Sequence, residues 1–324
     1  MSFYIAVDIG GTQMRAACYR PSGLEPFSLE RITTRPSAGA PQPVDPFERL
    51  QTLINSIWPV DETVTAISVA APGPTNPYSG VILKAPNIHE WVDLPLSQKL
   101  HERFRAPVVV GNDANLAALA EWKYGAGRGH DHMIYMTIST GIGSGIIVDG
   151  RMLLGDQGLA AEVGHVTVLP DGPMCGCGQR GHLEALASGT AIARWVEDEL
   201  VQGASSTLVM GQQPITAKMV SEAAHQGDEL CIAALARAGH YIGMALANLL
   251  HIFNPSALIL GGGVSQSGSL LFEPIKAALQ EHAMNPHYLD NLTLEKAHFG
   301  DEVGLVGALA LGRTLYPVPD SIPT

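Results

Sequence analysis

The chain has 324 residues, 46% of them hydrophobic and 15% charged, with a formal net charge of -12 at pH 7. That length buries a generous core in one large domain or two lobes. An acidic surface repels phosphate backbones and anionic lipid heads, which argues against nucleic acid and membrane surfaces as partners.

The opening stretch MSFYIAVDIGG reaches Asp8 before any basic residue, unlike a signal peptide, and the apolar run from Ala245 to Phe253 is broken by Asn248 and His251. Four cysteines in a chain of this size make no disulfide scaffold. The expected compartment is therefore the cytoplasm.

In chain order, Phe3 to Asp8 and Met14 to Tyr19 read as two strands of a hairpin around the turn Gly10-Gly11-Thr12. Ser28 to Pro46, rich in Pro, Thr and Gly, reads as loop. Phe47, Leu50, Leu53, Ile54 and Ile57 have helical spacing, and the helix ends before Pro59. A strand follows at Thr63 to Val69, then a turn-rich segment from Ala71 to Pro77, a strand at Pro107 to Val110 and a helix at Ala114 to Tyr124.

The opening pattern then recurs. Met133 to Ile138 reads as a strand, Ser139 to Gly145 as a glycine turn, and Ile146 to Val148 as the returning strand. A third strand followed by a glycine loop lies at Ala257 to Gly263. Helices are expected over Gly189 to Gln202, Cys231 to Phe253, Leu271 to His282 and Glu302 to Tyr316, the last packing back on the first lobe, with the proline-containing tail as a surface strap. Alternating strands and helices, with one hairpin used twice, give an α/β protein of two related lobes.

Glycine loops carry the first chemistry. An Asp-x-Gly-Gly-Thr turn lets backbone N–H groups and a hydroxyl approach phosphate oxygens, with Asp8 facing the metal that accompanies a nucleotide. A plain hairpin with Asp8 accepting turn N–H bonds explains the same residues without a ligand. The second loop, TISTGIGSG, favours the phosphate reading, because two hydroxyl-plus-glycine turns look like two halves of one clamp. Gly261-Gly262-Gly263 would let a nucleoside lie flat on backbone. Neither a P-loop nor a dinucleotide fingerprint occurs.

In VVVGNDANLAALAE, Asn112 and Asp113 stand where a strand ends and a helix begins. Both residue types are preferred N-caps. The carboxyl end of a strand is also where α/β sheets hold substrates, and an Asp there can accept a proton from a hydroxyl that attacks phosphorus. His165, Cys175, Cys177 and His182 lie within one short glycine- and proline-rich stretch. Imidazole and thiolate are the preferred ligands of structural zinc; the alternative is two ordinary reduced cysteines in a turn with histidines nearby. Cys18 and Cys231 read as core.

Together, DIGGT at 8–12, APG at 71–73, APNIHEW at 85–91, NDAN at 112–115, TGIGSG at 140–145, GHVTV at 164–168, CGCG at 175–178 and GHLEALASG at 181–189 resemble the ROK family of the actin-like ATPase superfamily. The resemblance runs from Asp8 almost to Tyr316. It implies a two-lobed α/β actin-like ATPase (ribonuclease H-like) fold with a small zinc-binding insertion. A smaller lobe would span 1–118 plus 302–324, and a larger lobe carrying the zinc site would span 119–301.

The implied activity is ATP- and Mg2+-dependent phosphorylation of a hexose 6-hydroxyl. Glucose is the expected sugar, because SGTAIAR at 188–194 resembles the family's glucokinases. N-acetylmannosamine, N-acetylglucosamine or fructose kinases share most contacts, and sugar-responsive regulators form another branch. The family carries an N-terminal DNA-binding module in its repressors, for which Asp8 leaves no room.

Residue by residue, Asp113 matches the general base. Asn112, Glu162, His165 and Glu184 match the sugar-binding positions, with Gly73 and Asn87 as lesser contacts. Asp8, Gly10, Gly11, Thr12, Thr140, Gly141 and Gly143 match the phosphate and magnesium side, and Gly262 the nucleoside side. His165, Cys175, Cys177 and His182 would hold structural Zn2+, His165 also facing sugar. Gln13 stands where many members have Lys, and His182 replaces the usual last cysteine. A homodimer is expected, since C2 is the commonest symmetry and dimers are common in the family.

Overall fold

The computed structural model describes residues 2–35, 45–211 and 213–318. The chain forms two compact units: Met1–Gly125 with Met152–Ala160 and Asp301–Thr324, and Ala126–Arg151 with Ala161–Gly300.

In the first unit the elements are β1 (Ser2–Ile9), β2 (Gln13–Tyr19), β3 (Ser28–Thr33), α1 (Pro46–Ser56), β4 (Thr63–Ala71), the small ribbon β5 (Thr75–Asn76), β6 (Val81–Lys84) and β7 (Val92–Leu94), then α2 (Leu96–Phe104), β8 (Val108–Asn112) and α3 (Asp113–Tyr124). The main sheet runs β3-β2-β1-β4-β8. β1, β4 and β8 are parallel, with β2 antiparallel to β1. Alternation along β1 divides the core: Phe3, Ile5, Val7 and Ile9 join a cluster with Leu50, Leu53 and Leu100 of α1 and α2. Tyr4 and Ala6 face the opposite cluster, with Leu116 and Leu119 of α3. Ser28 to Thr33 is a strand rather than the expected loop. Among the described residues it pairs with β2 alone, at the sheet edge, and a strand with no fully buried residue and exposed Glu30 and Arg31 at its centre carries little sequence signal.

The second unit contains β9 (Met133–Ile138), β10 (Ile142–Val148), α4 (Leu183–Ala187), α5 (Gly189–Val201), α6 (Ala217–His225), α7 (Glu229–Phe253), β12 (Ala257–Gly261), α8 (Ser269–His282) and β13 (Thr293–Lys296), and the two-residue β11 (Arg151–Met152) falls where the chain passes from this unit to the first. Its sheet runs β11-β10-β9-β12-β13, with β12 parallel to β9 and to β13. β10 begins at Ile142, so the expected turn over 139–145 is shorter. Gly143 pairs with Thr137, and Gly145 with Tyr135, as strand residues. α7 is long and apolar enough to cross a membrane. Its Leu235, Ile242, Leu246 and Leu250 are fully buried and it packs along α8, as a core helix does.

The last helix, α9 (Val303–Leu315), belongs to the first unit, where Leu305 and Leu309 lie in the cluster with Tyr4 and Leu116. It begins tightly enough that a side chain at Gly304 would come 2.6 Å from Asp8. The tail expected as a strap lies outside the described residues beyond 318, as does 36–44 of the expected loop.

Candidate active site and metal-ligand cluster

Parallel register places the carboxyl ends of β1, β4 and β8 at one edge of the first sheet, with Asp8 opposite Ala70 and Ala70 opposite Gly111. That edge collects Asp8, Gly73, Asn112 and Asp113. Gly10 N–H donates to the Gln13 carbonyl at 2.8 Å and closes the hairpin, while the Thr34 hydroxyl donates to the Gly10 carbonyl at 2.6 Å. The half-buried Gly11 and exposed Thr12 form its tip, and Asn87 lies against Gly11. Asp8 pairs with Arg15, its cross-strand neighbour, whose guanidinium also donates to the Asp301 carbonyl. Sequence reasoning missed Arg15; opposite charges on one hairpin face were the available signal.

The helix cap belongs to Asn112. Its side-chain carbonyl accepts from the Ala114 and Asn115 N–H groups at 3.0 and 3.1 Å, and its amide donates to the Gly73 carbonyl at 3.1 Å. Asp113 is the first helical residue, half-buried, and its Oδ1 accepts the Ala114 N–H at 2.8 Å. Asn112 thus ties β8, α3 and the 71–73 turn together.

In the second unit, Ser139, Thr140 and Gly141 make a tight turn in which Ser139 N–H donates to the Gly141 carbonyl at 2.9 Å. The start of α5 docks on it. Gly189 N–H donates to the Ser139 carbonyl at 2.7 Å, and the Thr190 hydroxyl to the Thr140 carbonyl at 2.9 Å. A cavity of about 910 Å³ opens here, with Thr140 and Thr190 on one side, Ala193 and Ile215 as apolar wall, and α6 and Gly263 completing it. The amino end of a 13-residue helix beside a Thr-Gly turn favours anionic oxygens. Gly262, at φ 83°, lies between β12 and that wall. The α6 contribution was not legible in sequence.

Glu162, His165 and Glu184 also belong to this unit. Glu184 Oε2 accepts the Ile142 N–H at 2.9 Å, and a side chain at Gly141 would overlap that carboxylate. Desolvation around the Glu162 carboxyl raises its pKa; His165 opposes the shift and Glu184 adds to it.

The ligating atoms of His165, Cys175, Cys177 and His182 all lie within 4.8 Å of one another. Cys175 Sγ is 3.7 Å from His165 Nδ1, and Cys177 Sγ is 3.3 Å from His182 Nδ1. A tetrahedral zinc with bonds of about 2.0–2.3 Å has ligand-to-ligand edges of roughly 3.3–3.8 Å, so this donor set fits. Burial raises the Cys175 pKa, with Cys177 and Glu184 nearby, which disfavours the thiolate unless a cation is present. Gly181, at φ 69°, lets the chain turn beneath the Leu169 carbonyl just before His182.

Mixed sheets, glycine-tipped hairpins and a nucleotide-sized cavity define an α/β protein built to hold phosphates. The ROK family model matches residues 4–314, and the chain belongs to that family. It is 35% identical over 309 residues to the glucokinase of Halalkalibacterium halodurans, covering 94% of this chain and 93% of that protein. The ROK family glucokinase of Streptomyces griseus, solved with glucose and AMPPNP, superposes with a TM-score of 0.79 at 35% identity, over 96% of this chain and 99% of that one. A ROK family transcriptional regulator, a homologue of the E. coli MLC protein, gives a TM-score of 0.85 at 28% identity, over 97% of this chain and 78% of the regulator.

Proposed function

We propose that this chain is an ATP-dependent glucokinase that phosphorylates the glucose 6-hydroxyl. The observation that carries the reading is the division of labour at the start of α3: Asn112 makes the cap with Gly73 and two backbone N–H groups, so Asp113 is not required for it. The likeness to glucokinases over nearly the whole chain selects the sugar.

In this reading Asp113 accepts the proton of the 6-hydroxyl as its oxygen attacks the γ-phosphorus. The new O–P bond forms as the bond from phosphorus to the ADP oxygen breaks. Asn112, Glu162, His165 and Glu184 hydrogen-bond the ring hydroxyls, with Gly73 and Asn87 as lesser contacts. The cavity takes the nucleoside beside Gly262. Thr140, Gly141 and the N–H groups opening α5 take phosphate oxygens, as do Gly10, Gly11 and Thr12 of the first hairpin. Asp8, held by Arg15, would help to hold the Mg2+ that accompanies ATP and neutralises its charge. His165, Cys175, Cys177 and His182 would hold zinc, which when bound fixes the tautomer of the histidines. His165 then presents Nε2 to a sugar hydroxyl. The same proposal includes a homodimer, measurable by light scattering.

ADP release with ATP and Mg2+ across a hexose panel tests the reading. Glucose should give the highest kcat/KM. If N-acetylmannosamine, the substrate of a 33% identical Yersinia pseudotuberculosis kinase, turns over while glucose does not, the sugar is wrong and the kinase stands. If no sugar is phosphorylated, both the glucose and the kinase readings fail, and a sugar-responsive regulator without kinase activity takes their place.

A further inference from the structure

The second unit holds another group of ligating side chains. We propose that His240 of α7 with Glu281 and His282 of α8 forms a second divalent transition-metal site, separate from the Cys-His cluster. Their ligating atoms lie within 4.8 Å of one another. The two imidazoles meet edge to face, with centroids 5.5 Å apart and planes at 64°.

Three observations point to a cation. First, His282 Nε2 is buried and has no hydrogen-bond partner. A buried, unsatisfied ring nitrogen is costly, and a metal bond would satisfy it. Second, among the described residues no side-chain hydrogen bond or ion pair engages His240 or Glu281, so these donors are not committed to other partners. Third, the site stands on two helices held in close contact. A side chain at Gly243 of α7 would come 2.6 Å from Ala278 of α8, so the helices cannot be separated by bulk there. Donors on rigid helices need only side-chain rotation to contract from within 4.8 Å to the roughly 3.3–3.6 Å edges of a site with bonds near 2.0–2.2 Å.

Two imidazoles and one carboxylate suit Zn2+, Co2+, Ni2+ or Cu2+ rather than Mg2+ or Ca2+, which prefer all-oxygen shells. The partly exposed position leaves room for water at a fourth place. The ion would clamp α7 to the carboxyl end of α8.

Cobalt separates the two sites. Co2+ bound by Cys175 and Cys177 gives an intense thiolate charge-transfer band, whereas a His-Glu-His site gives only weak visible bands. Chelator-stripped protein, titrated with Co2+ and counted by equilibrium dialysis, should bind one more equivalent than the charge-transfer band accounts for. His240→Asn and His282→Gln should each weaken that extra equivalent at least tenfold. They should leave the charge-transfer band, the circular dichroism spectrum and the rate of glucose phosphorylation unchanged. Glu281→Gln, at an exposed position, covers the case in which a histidine variant fails to fold. If the extra equivalent is missing in the wild type, binds only at millimolar Co2+, or survives all three substitutions, the site does not exist.

Discussion

Glu184 and Ile142 are joined by a hydrogen bond: the carboxylate Oε2 accepts the Ile142 N–H at 2.9 Å, while Oε1 lies 3.7 Å from Cys175 Sγ. One side chain thus touches both the hairpin that carries Thr140 and Gly141 and the Cys-His cluster. Truncating it leaves an N–H without its partner, at a cost of roughly 1–3 kcal/mol.

Glu184→Ala should therefore lower the melting temperature and raise KM for both sugar and ATP. Glu184→Gln keeps an acceptor for Ile142 and should restore stability and the ATP KM, but not the sugar KM. Paired melts and initial rates check this. Equal loss in both variants would mean that the carboxylate charge, not the bond to Ile142, sets the hairpin.

At the start of α3, Asp113→Asn should cost on the order of 10²–10⁴ in kcat with an almost unchanged melt, because the cap is elsewhere. Asn112→Ala should destabilise by about 1–2 kcal/mol through loss of the cap. Denaturant midpoints read alongside kcat distinguish the two. A destabilised but active Asp113→Asn protein would reverse the assignment.

For the Cys-His cluster, elemental analysis of purified protein should find one zinc per chain. His182→Cys should retain it, His182→Ala should bind it less tightly, and Cys177→Ser should lose most of it, since a serine hydroxyl is a poor ligand. Loss of metal should raise KM for sugar before KM for ATP, because the orientation of His165 is lost first. Fully active protein with far less than one zinc, indifferent to chelators, would remove zinc from the mechanism.

Asp228 supplies a pH dependence away from the site. Its burial would raise the pKa, but the Thr207 N–H, the Ser206 and Thr207 hydroxyls and the Cys231 N–H together hold it far below the ordinary carboxylate range. A folded pKa below the unfolded one means that the ionised form stabilises the fold above the unfolded value, and that this is lost as pH falls toward the folded one. Asp228→Asn keeps the α7 cap but not the charge. The stability gap to wild type should be roughly 2–3 kcal/mol and flat from about pH 5 to 8, and should shrink below about pH 4. Urea midpoints across that range give the answer.

The sequence by itself determined what depends on neighbours along the chain. Glycine-rich breaks after apolar strands marked both hairpins, and the spacing of Leu50, Leu53 and Ile54 marked α1. NDAN located a strand-to-helix junction, and Cys175, Cys177 and His182 lie close enough in sequence to share a cluster. Tertiary structure decided what depends on distant partners. Ser28 to Thr33 is a strand because β2 offers it an edge, and Gly143 is a strand residue because β9 pairs with it. Asn112 and Asp113 are equivalent as cap formers in sequence; the Gly73 carbonyl and the geometry of α3 give the cap to Asn112. The cavity draws its walls from segments around residues 140, 190, 215–226 and 263, which no local pattern relates. Side-chain chemistry and backbone preference act over a few residues, whereas pairing, burial and enclosure depend on which segments the folded chain brings together.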